Sequence, residues 1–249
     1  MKGFLLALQF LSIIPIRPKF DGSKKDLARS MVYFPLVGLL FGAVLFGIDL
    51  ALRDVLPGRL ASLCLIFTLI LVTGGLHLDG FADTVDALSS RKGKGEMLAI
   101  MRDSRIGTIG ALGLVCLLLL KLELLSNVPT GIRSPVLLLM PTMGRWSMVI
   151  EASLSPYARP SNGLGKPFTE HIGLRELVLT SLITLSIGLL VWQLMGFLLT
   201  AFVSITALLL VRYIRSKFGG ATGDTLGAVN EAVEVLVLLY AVVLFAVGQ

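Results

Sequence analysis

Seven apolar stretches govern what this chain can fold into: roughly 31–52, 60–76, 106–125, 134–152, 174–194, 196–213 and 233–248. A helix rises about 1.5 Å per residue, so roughly 20 apolar residues cross the hydrocarbon of a bilayer. Composition agrees: 55% of the 249 residues are hydrophobic, mean hydropathy is +0.87 and only 15% are charged, against about 25% charged in a soluble domain. An earlier run, Phe4–Ile14, is too short to span, and Pro15 and Pro18 end it. It lacks an A-x-A cleavage site, which argues against a signal peptide, and reads as a helix lying in the interface or packed on the bundle. The expected fold class is therefore all-α: a polytopic transmembrane helical bundle of about seven spans plus a short N-terminal interfacial helix. It forms one domain over 1–249, with no internal repeat.

The net charge is +6, but the basic residues sit in short loops between the apolar runs. That pattern serves membrane orientation, so nucleic acid is not expected as a partner. The segments 15–30, 77–105, 153–175 and 212–232 carry five, five, three and three of the 22 Lys and Arg. The opposite side has only Arg53, Arg59, Lys121 and Arg133. The positive-inside rule puts the first set in the cytoplasm. Chemistry is expected in those longer, more polar loops. Cys64 and Cys116 lie inside apolar runs without CxxC spacing and read as small hydrophobes.

The first chemical signal is His77-Leu-Asp-Gly-Phe-Ala-Asp-Thr-Val-Asp. Asp79, Asp83 and Asp86 stand at i, i+4 and i+7, within about 60° of one another on a helix. Three carboxylates on one face repel, and hard oxygen donors select Mg²⁺, Ca²⁺ or Mn²⁺ as the compensating cation. The plain alternative is a solvated acidic face; the cluster's place at the end of an apolar run favours function. His77 serves as a ligand or, more simply, in packing at the helix end. Gly75 and Gly80 permit close backbone approach. Next come Arg91, Lys92 and Lys94, read as interfacial anchors, and then Met101-Arg-Asp-Ser-Arg-Ile-Gly-Thr-Ile-Gly. Arg102 and Arg105 offer planar forks suited to phosphate, and Asp103 either joins the metal or bridges to an arginine.

A second acidic cluster follows the sixth run. Asp224, Glu231 and Glu234, with Asn230, come after the glycine-rich stretch Gly219–Gly223. Asp224 and Glu231 share a helical face. The glycines either present backbone N–H groups to phosphate or simply turn the chain, with Thr222 or Asp224 capping the last helix. Two acidic clusters on one side of a bundle can converge on a metal site for phosphoryl-type transfer. In the loop Tyr157-Ala-Arg-Pro-Ser-Asn-Gly-Leu-Gly-Lys, Arg159 and Lys166 meet phosphate or form an ordinary basic loop. Arg145 and Glu151 read as a snorkelling pair or as bundle-facing groups, and Asp49 as structural.

These motifs together resemble the cobalamin synthase (adenosylcobinamide-GDP ribazoletransferase) family. The acidic segment from His77, Met101–Gly110, Tyr157-Ala-Arg-Pro…Gly163-Leu-Gly and Thr222-Gly-Asp-Thr-Leu-Gly-Ala…Glu231 carry the resemblance. Gln9-Phe-Leu-Ser-Ile-Ile-Pro and Tyr33-Phe-Pro-Leu-Val-Gly extend it nearly end to end. Ala87 stands where the family often has Gly, a change a helix accepts. The resemblance implies a transferase in the cell membrane with its active site in the cytoplasm. A hydroxyl of α-ribazole, or of its 5′-phosphate, attacks the phosphate joining cobinamide to GMP in adenosylcobinamide-GDP, and GMP leaves. It implies Mg²⁺ held by Asp79, Asp83, Asp86, Asp224 and Glu231, with Arg102 and Arg105 on the pyrophosphate and Arg159 as a further phosphate ligand. Asp86 or Glu231 takes the hydroxyl's proton. The lipid bilayer, a homo-oligomeric assembly and other corrinoid-pathway enzymes are the expected partners. The rivals fit less well. A CDP-alcohol phosphatidyltransferase carries DGxxAR where Ala82 is followed by Asp83, and the NDxxDxxxD of a UbiA-type prenyltransferase is absent. A cation-coupled transporter places its ionisable groups mid-span.

Overall fold

The computed structural model describes residues 2–16, 23–159, 163 and 165–246. Pro18, Pro160, Ser161, Asn162, Leu164 and the end of the last apolar run (247–248) lie outside the described residues. All regular structure among the described residues is helical: α1 (Lys2–Leu11), α2 (Lys24–Ser30), α3 (Phe34–Leu52), α4 (Gly58–Thr73), α5 (Leu76–Ser89), α6 (Lys94–Ile100), α7 (Thr108–Ser126), α8 (Thr130–Leu154), α9 (Lys166–His171), α10 (Leu174–Phe218) and α11 (Gly223–Ala246). One 3₁₀ turn joins α2 to α3, and the only extended pairing described is an isolated bridge between Tyr157 and Ala221.

Each apolar stretch forms a helix, and α1 occupies the position expected for the short N-terminal helix. It packs by Leu6, Ala7 and Leu11, and the Ile13 N–H donates to the Val72 carbonyl at the end of α4 (2.9 Å). Four helical stretches are long and apolar enough to cross a membrane: Lys24–Leu52, Thr108–Ser126, Leu174–Phe218 and Gly223–Leu244. A fifth is added when α4 and α5, bent by 91°, are taken as one element. That count differs from the seven apolar runs, and two structural features lie behind the difference. In α10, Trp192 and Gln193 leave helical geometry, and the backbones of Gly188 and Gly196 touch. Eight residues of straight helix would separate those two by about 12 Å, so α10 is a hairpin of two antiparallel arms, with its turn where a single residue separates the runs 174–194 and 196–213. The second feature is α8. It carries Arg133, Arg145 and Glu151 and is buried along nearly its whole length from Val136 to Ala152, so its surroundings are protein rather than lipid.

Close approach of backbones builds the centre. Gly38 and Gly42, one turn apart on α3, lie against the α8 backbone at Pro141–Thr142 and Leu137–Leu138, the small-residue contact that membrane helices use when lipid offers no hydrophobic drive to associate. Lys121 and Arg133, counted above with the outer loops, are buried instead. Arg133 donates to Asp49 (2.8 Å), to Ser62 (2.9 Å) and to the Leu125 carbonyl (2.6 Å), which makes Asp49 structural as read.

A methyl group at Gly42 would sit 2.7 Å from the Leu137 carbonyl oxygen and the Leu138 Cα, whereas one at Gly47 meets nothing within 4 Å. Gly42→Ala should therefore cost about 1–3 kcal/mol through overpacking, while Gly47→Ala should be neutral or stabilising by up to about 1 kcal/mol. Thermal unfolding in detergent distinguishes them, and equal effects would contradict this packing.

Candidate active site

Two successive left-handed residues, Gly74 (φ +63°) and Gly75 (φ +71°), end α4 and turn the chain into α5. Gly75 thus serves backbone conformation rather than close approach, since a methyl there would meet nothing within 4 Å. Gly80 is the true contact point: a Cβ there would lie 2.7 Å from the Asp224 carbonyl oxygen, and one at Gly227 would lie 3.0 Å from that of His77. The first two turns of α5 and of α11 cross here with almost no side chain between them. The sequence-separated Asp79 and Asp83 are thereby brought beside Asp224.

The start of α11 is held from two directions. Thr222 and Thr225 cap each other, with the Thr225 N–H donating to Thr222 Oγ1 (3.1 Å) and the Thr222 N–H to Thr225 Oγ1 (2.8 Å). Of the two capping residues considered, Thr222 does the work. The Tyr157 loop then runs alongside: the Ala158 N–H donates to the Ala221 carbonyl (2.9 Å) and the Ala221 N–H to the Pro156 carbonyl (2.8 Å). Gly165 packs on the Gly223 backbone, where a Cβ would fall 2.5 Å from nitrogen. The glycine-rich stretch is therefore used for strand-like crossing of loops. The crossing delivers Arg159, whose Nη2 donates to Asp224 Oδ2 at 2.6 Å.

A cavity of about 150 Å³ opens at this junction, lined by Asp79, Gly80, Asp224, Arg159 and His77. Phe10 and Phe168 also line it and pack on each other, with ring centroids 4.6 Å apart. α5 bends away from α4 by 91°, and Asp83 lies beyond the apolar run that ends at 76. Burial pushes its carboxyl up to about 6, reinforced by repulsion from Asp79, Asp224 and Asp86 and opposed by Arg159. Negative charge in the pocket is thus only partly compensated by the protein itself.

The other expected residues are placed differently. Both Asp86 oxygens are occupied, accepting from the N–H groups of Gly107 and Gly110 at 2.7 Å each. Asp86 caps α7 and fastens the preceding 101–106 stretch to α5. Glu231 lies two turns beyond Asp224, inside the bundle, bonded to Lys121 (2.5 Å). Arg102 and Arg105 are exposed. Arg105 chelates Asp103, with Nη2 to Oδ2 at 2.7 Å, and holds that carboxyl at about 2, so Asp103 bridges to an arginine. Among the described residues no three His, Cys, Asp or Glu side chains are grouped as a metal shell. Sequence reasoning missed the Phe10–Phe168 wall, which carries no motif. It also missed Lys121, whose signal was a lone cation inside an apolar run.

The chain matches a family model described as cobalamin-5-phosphate synthase over residues 3–243. Similar proteins include one from Geotalea daltonii (42% identical, covering 96% of each chain), one from Acetivibrio thermocellus (41%, 93% of each) and one from Caldanaerobacter subterraneus subsp. tengcongensis (38%, 96% of this chain and 97% of the other). Each of them is named adenosylcobinamide-GDP ribazoletransferase. No solved structure matches.

The Asp83 carboxyl sits near 6 in the fold against an ordinary 3.8, so between those values the folded chain keeps a proton that the unfolded chain has lost. Its contribution therefore turns unfavourable as pH rises from about 4 to about 6, and the penalty persists above. Asp83→Asn should raise cation-free stability at pH 7.5 by on the order of 1 kcal/mol, allowing for solvent screening at this half-buried site. The gain should vanish at pH 4. Thermal unfolding in EDTA at both pH values checks this, and a variant less stable than the parent at pH 7.5 contradicts it.

Proposed function

The chain belongs to the cobalamin-5-phosphate synthase family, and from that premise we propose that it joins adenosylcobinamide-GDP to α-ribazole, or to α-ribazole 5′-phosphate, with release of GMP. The observation that carries the reading is the pocket in which Asp79, Asp224 and Arg159 meet beside Asp83. It combines carboxylates in excess of their counterions with a guanidinium, the donor set that a metal–pyrophosphate substrate requires.

Mg²⁺ fits this donor set. It keeps several waters and commonly takes one or two carboxylates plus substrate phosphates, so a protein shell of three ligands is not needed beforehand. Asp79, Asp83 and Asp224 would hold it. When bound, Mg²⁺ supplies charge neutralisation on the pyrophosphate and on the departing GMP.

The protein's own groups divide the remaining work. Arg159, already oriented by Asp224, binds a phosphate oxygen, and Arg102 and Arg105 receive the pyrophosphate at the rim. Asp86 keeps that arginine-bearing stretch against α5 by capping α7. The hydroxyl of α-ribazole loses its proton as it attacks the cobinamide-linked phosphorus. Asp86 and Glu231 are engaged by amides and by Lys121, which leaves whichever of Asp79 and Asp83 does not hold the metal to accept it. We further propose seven crossings in a cell membrane, counting α8 and both arms of α10, with the pocket facing the cytoplasm. The support is the Lys and Arg bias toward the loops at the pocket end.

Purified protein in lipid, given adenosylcobinamide-GDP and α-ribazole, should release GMP and corrinoid product in equal amounts with Mg²⁺ and neither in EDTA. Asp83→Asn should lower the rate by at least about a hundredfold. GMP release that ignores EDTA, or no release from folded protein, contradicts the proposal.

A further inference from the structure

A second opening, separate from the pocket, lies where α1, α2 and the first turns of α10 meet. It encloses about 440 Å³ and is lined by Lys2, Arg29, Arg175, Tyr33, Leu6 and Leu179, among others. Two carboxylates, Asp26 and Glu176, also line it, but both are turned to helix capping. Asp26 accepts from the Ser23 N–H (3.1 Å) and hydroxyl (2.9 Å), and Glu176 from the Gly173 N–H (3.1 Å). Lys2 and Arg29 reach Asp26 only through longer-range attraction. All three cations are exposed, and among the described residues none makes a hydrogen bond or a close ion pair. The groove therefore presents a net positive face.

Its position is set by its neighbours. α1 is fastened to the end of α4 and contributes Phe10 to the carboxylate pocket, and Phe168 of the same pocket comes from α9, just before α10. The groove thus lies at the pocket end of the bundle. Arg175 is the second residue of α10, and from there the helix exposes Leu174 (73%), Val178 (48%), Leu179 (39%) and Leu182 (56%). One wall of the groove is consequently the lipid-facing side of a spanning helix. Arg175 lies in its first turn, with Lys2, Arg29 and Tyr33 facing it across the groove, where the end of a spanning helix meets the headgroups.

We propose that this groove binds the headgroup of one anionic phospholipid. Lys2, Arg29 and Arg175 take its phosphate oxygens, and its acyl chains run along Leu179 and Leu182 of α10. A soluble phosphate would use the cations and leave the apolar wall unused, and a zwitterionic lipid would bring its own cation to a lining that is already net positive.

The test is native mass spectrometry of the full-length protein in neutral detergent with added phosphatidylglycerol or phosphatidylcholine. The parent should retain phosphatidylglycerol in preference. The combined variant Lys2→Gln, Arg29→Gln, Arg175→Gln should lose that retention by at least about tenfold, since each basic residue near an anionic headgroup is worth several-fold in affinity. Arg53→Gln, an exposed cation elsewhere, should leave it unchanged. Should the combined variant not fold, Arg175→Gln alone is read the same way, with a several-fold loss expected. The proposal is overturned if the variants retain phosphatidylglycerol like the parent, or if phosphatidylcholine is held equally well. It is also overturned if inorganic phosphate at equal concentration displaces the lipid, which would make the groove a soluble-anion site.

Discussion

Four charges buried inside the bundle fix how its helices can sit. Lys121 of α7 lies between Glu231 and Glu234 of α11, at 2.5 and 2.6 Å, and Glu234 is shared with Arg145 of α8. Arg145 also faces His77 Nδ1 of α5 at 3.4 Å and lies 5.3 Å from the centre of the Phe41 ring of α3. Two cations and two carboxylates cancel, and Asn230 donates to both glutamates at 3.2 Å. Removing one member would leave an unpaired buried charge, at a cost of about 3–5 kcal/mol. Sliding α7, α8 or α11 by one turn, about 5.4 Å, would unpair several at once. Because its cations come from α7 and α8 and its carboxylates from α11, the network penalises other registers of these helices.

That register is what assembles the pocket. With α11 held by Glu231 and Glu234, its first turn can only meet α5 where Gly80 and Gly227 leave room. Asp224 then arrives beside Asp79 and Asp83. The Tyr157 loop, paired to Ala221, brings Arg159 onto Asp224. Asp86 binds the start of α7 at Gly107 and Gly110, so the helix that supplies Lys121 is tied to the helix that supplies the carboxylates. The repulsion between Asp83 and its neighbouring carboxylates is tolerated because these anchors lie outside it.

The parts legible in the sequence were those encoded locally. Each apolar run became a helix, the Pro and Gly positions marked the turns, and Asp79, Asp83, Asp224 and Arg159, which the fold gathers at one junction, stood out by residue type next to apolar runs. The rest depended on partners far along the chain. Asp86 matches Asp79 and Asp83 in spacing, and only the fold shows the two amide N–H groups on its oxygens. Glu231 shares a face with Asp224, yet its partner Lys121 is 110 residues away. α8 read as an ordinary span, although Arg133 and Arg145 are paired with Asp49 and Glu234 of neighbouring helices, and the turn inside α10, expected from the single residue between its two runs, is closed by Gly188 and Gly196 rather than by a polar loop. Phe10 and Phe168 had no pattern to find, since an aromatic wall is made by packing.

The central claim is that the cation and the pyrophosphate meet between α5, the first turn of α11 and the Tyr157 loop. Replacing Mg²⁺ by Fe²⁺ and generating hydroxyl radicals at the bound ion would cut the backbone within reach of it, and mass spectrometry of the fragments would map the cuts. With adenosylcobinamide-GDP present, cleavage should cluster at residues 79–83, 157–159 and 222–224 and should disappear in excess Mg²⁺. Cuts concentrated at the opposite end of the bundle, near 53–57 or 127–129, would contradict the account.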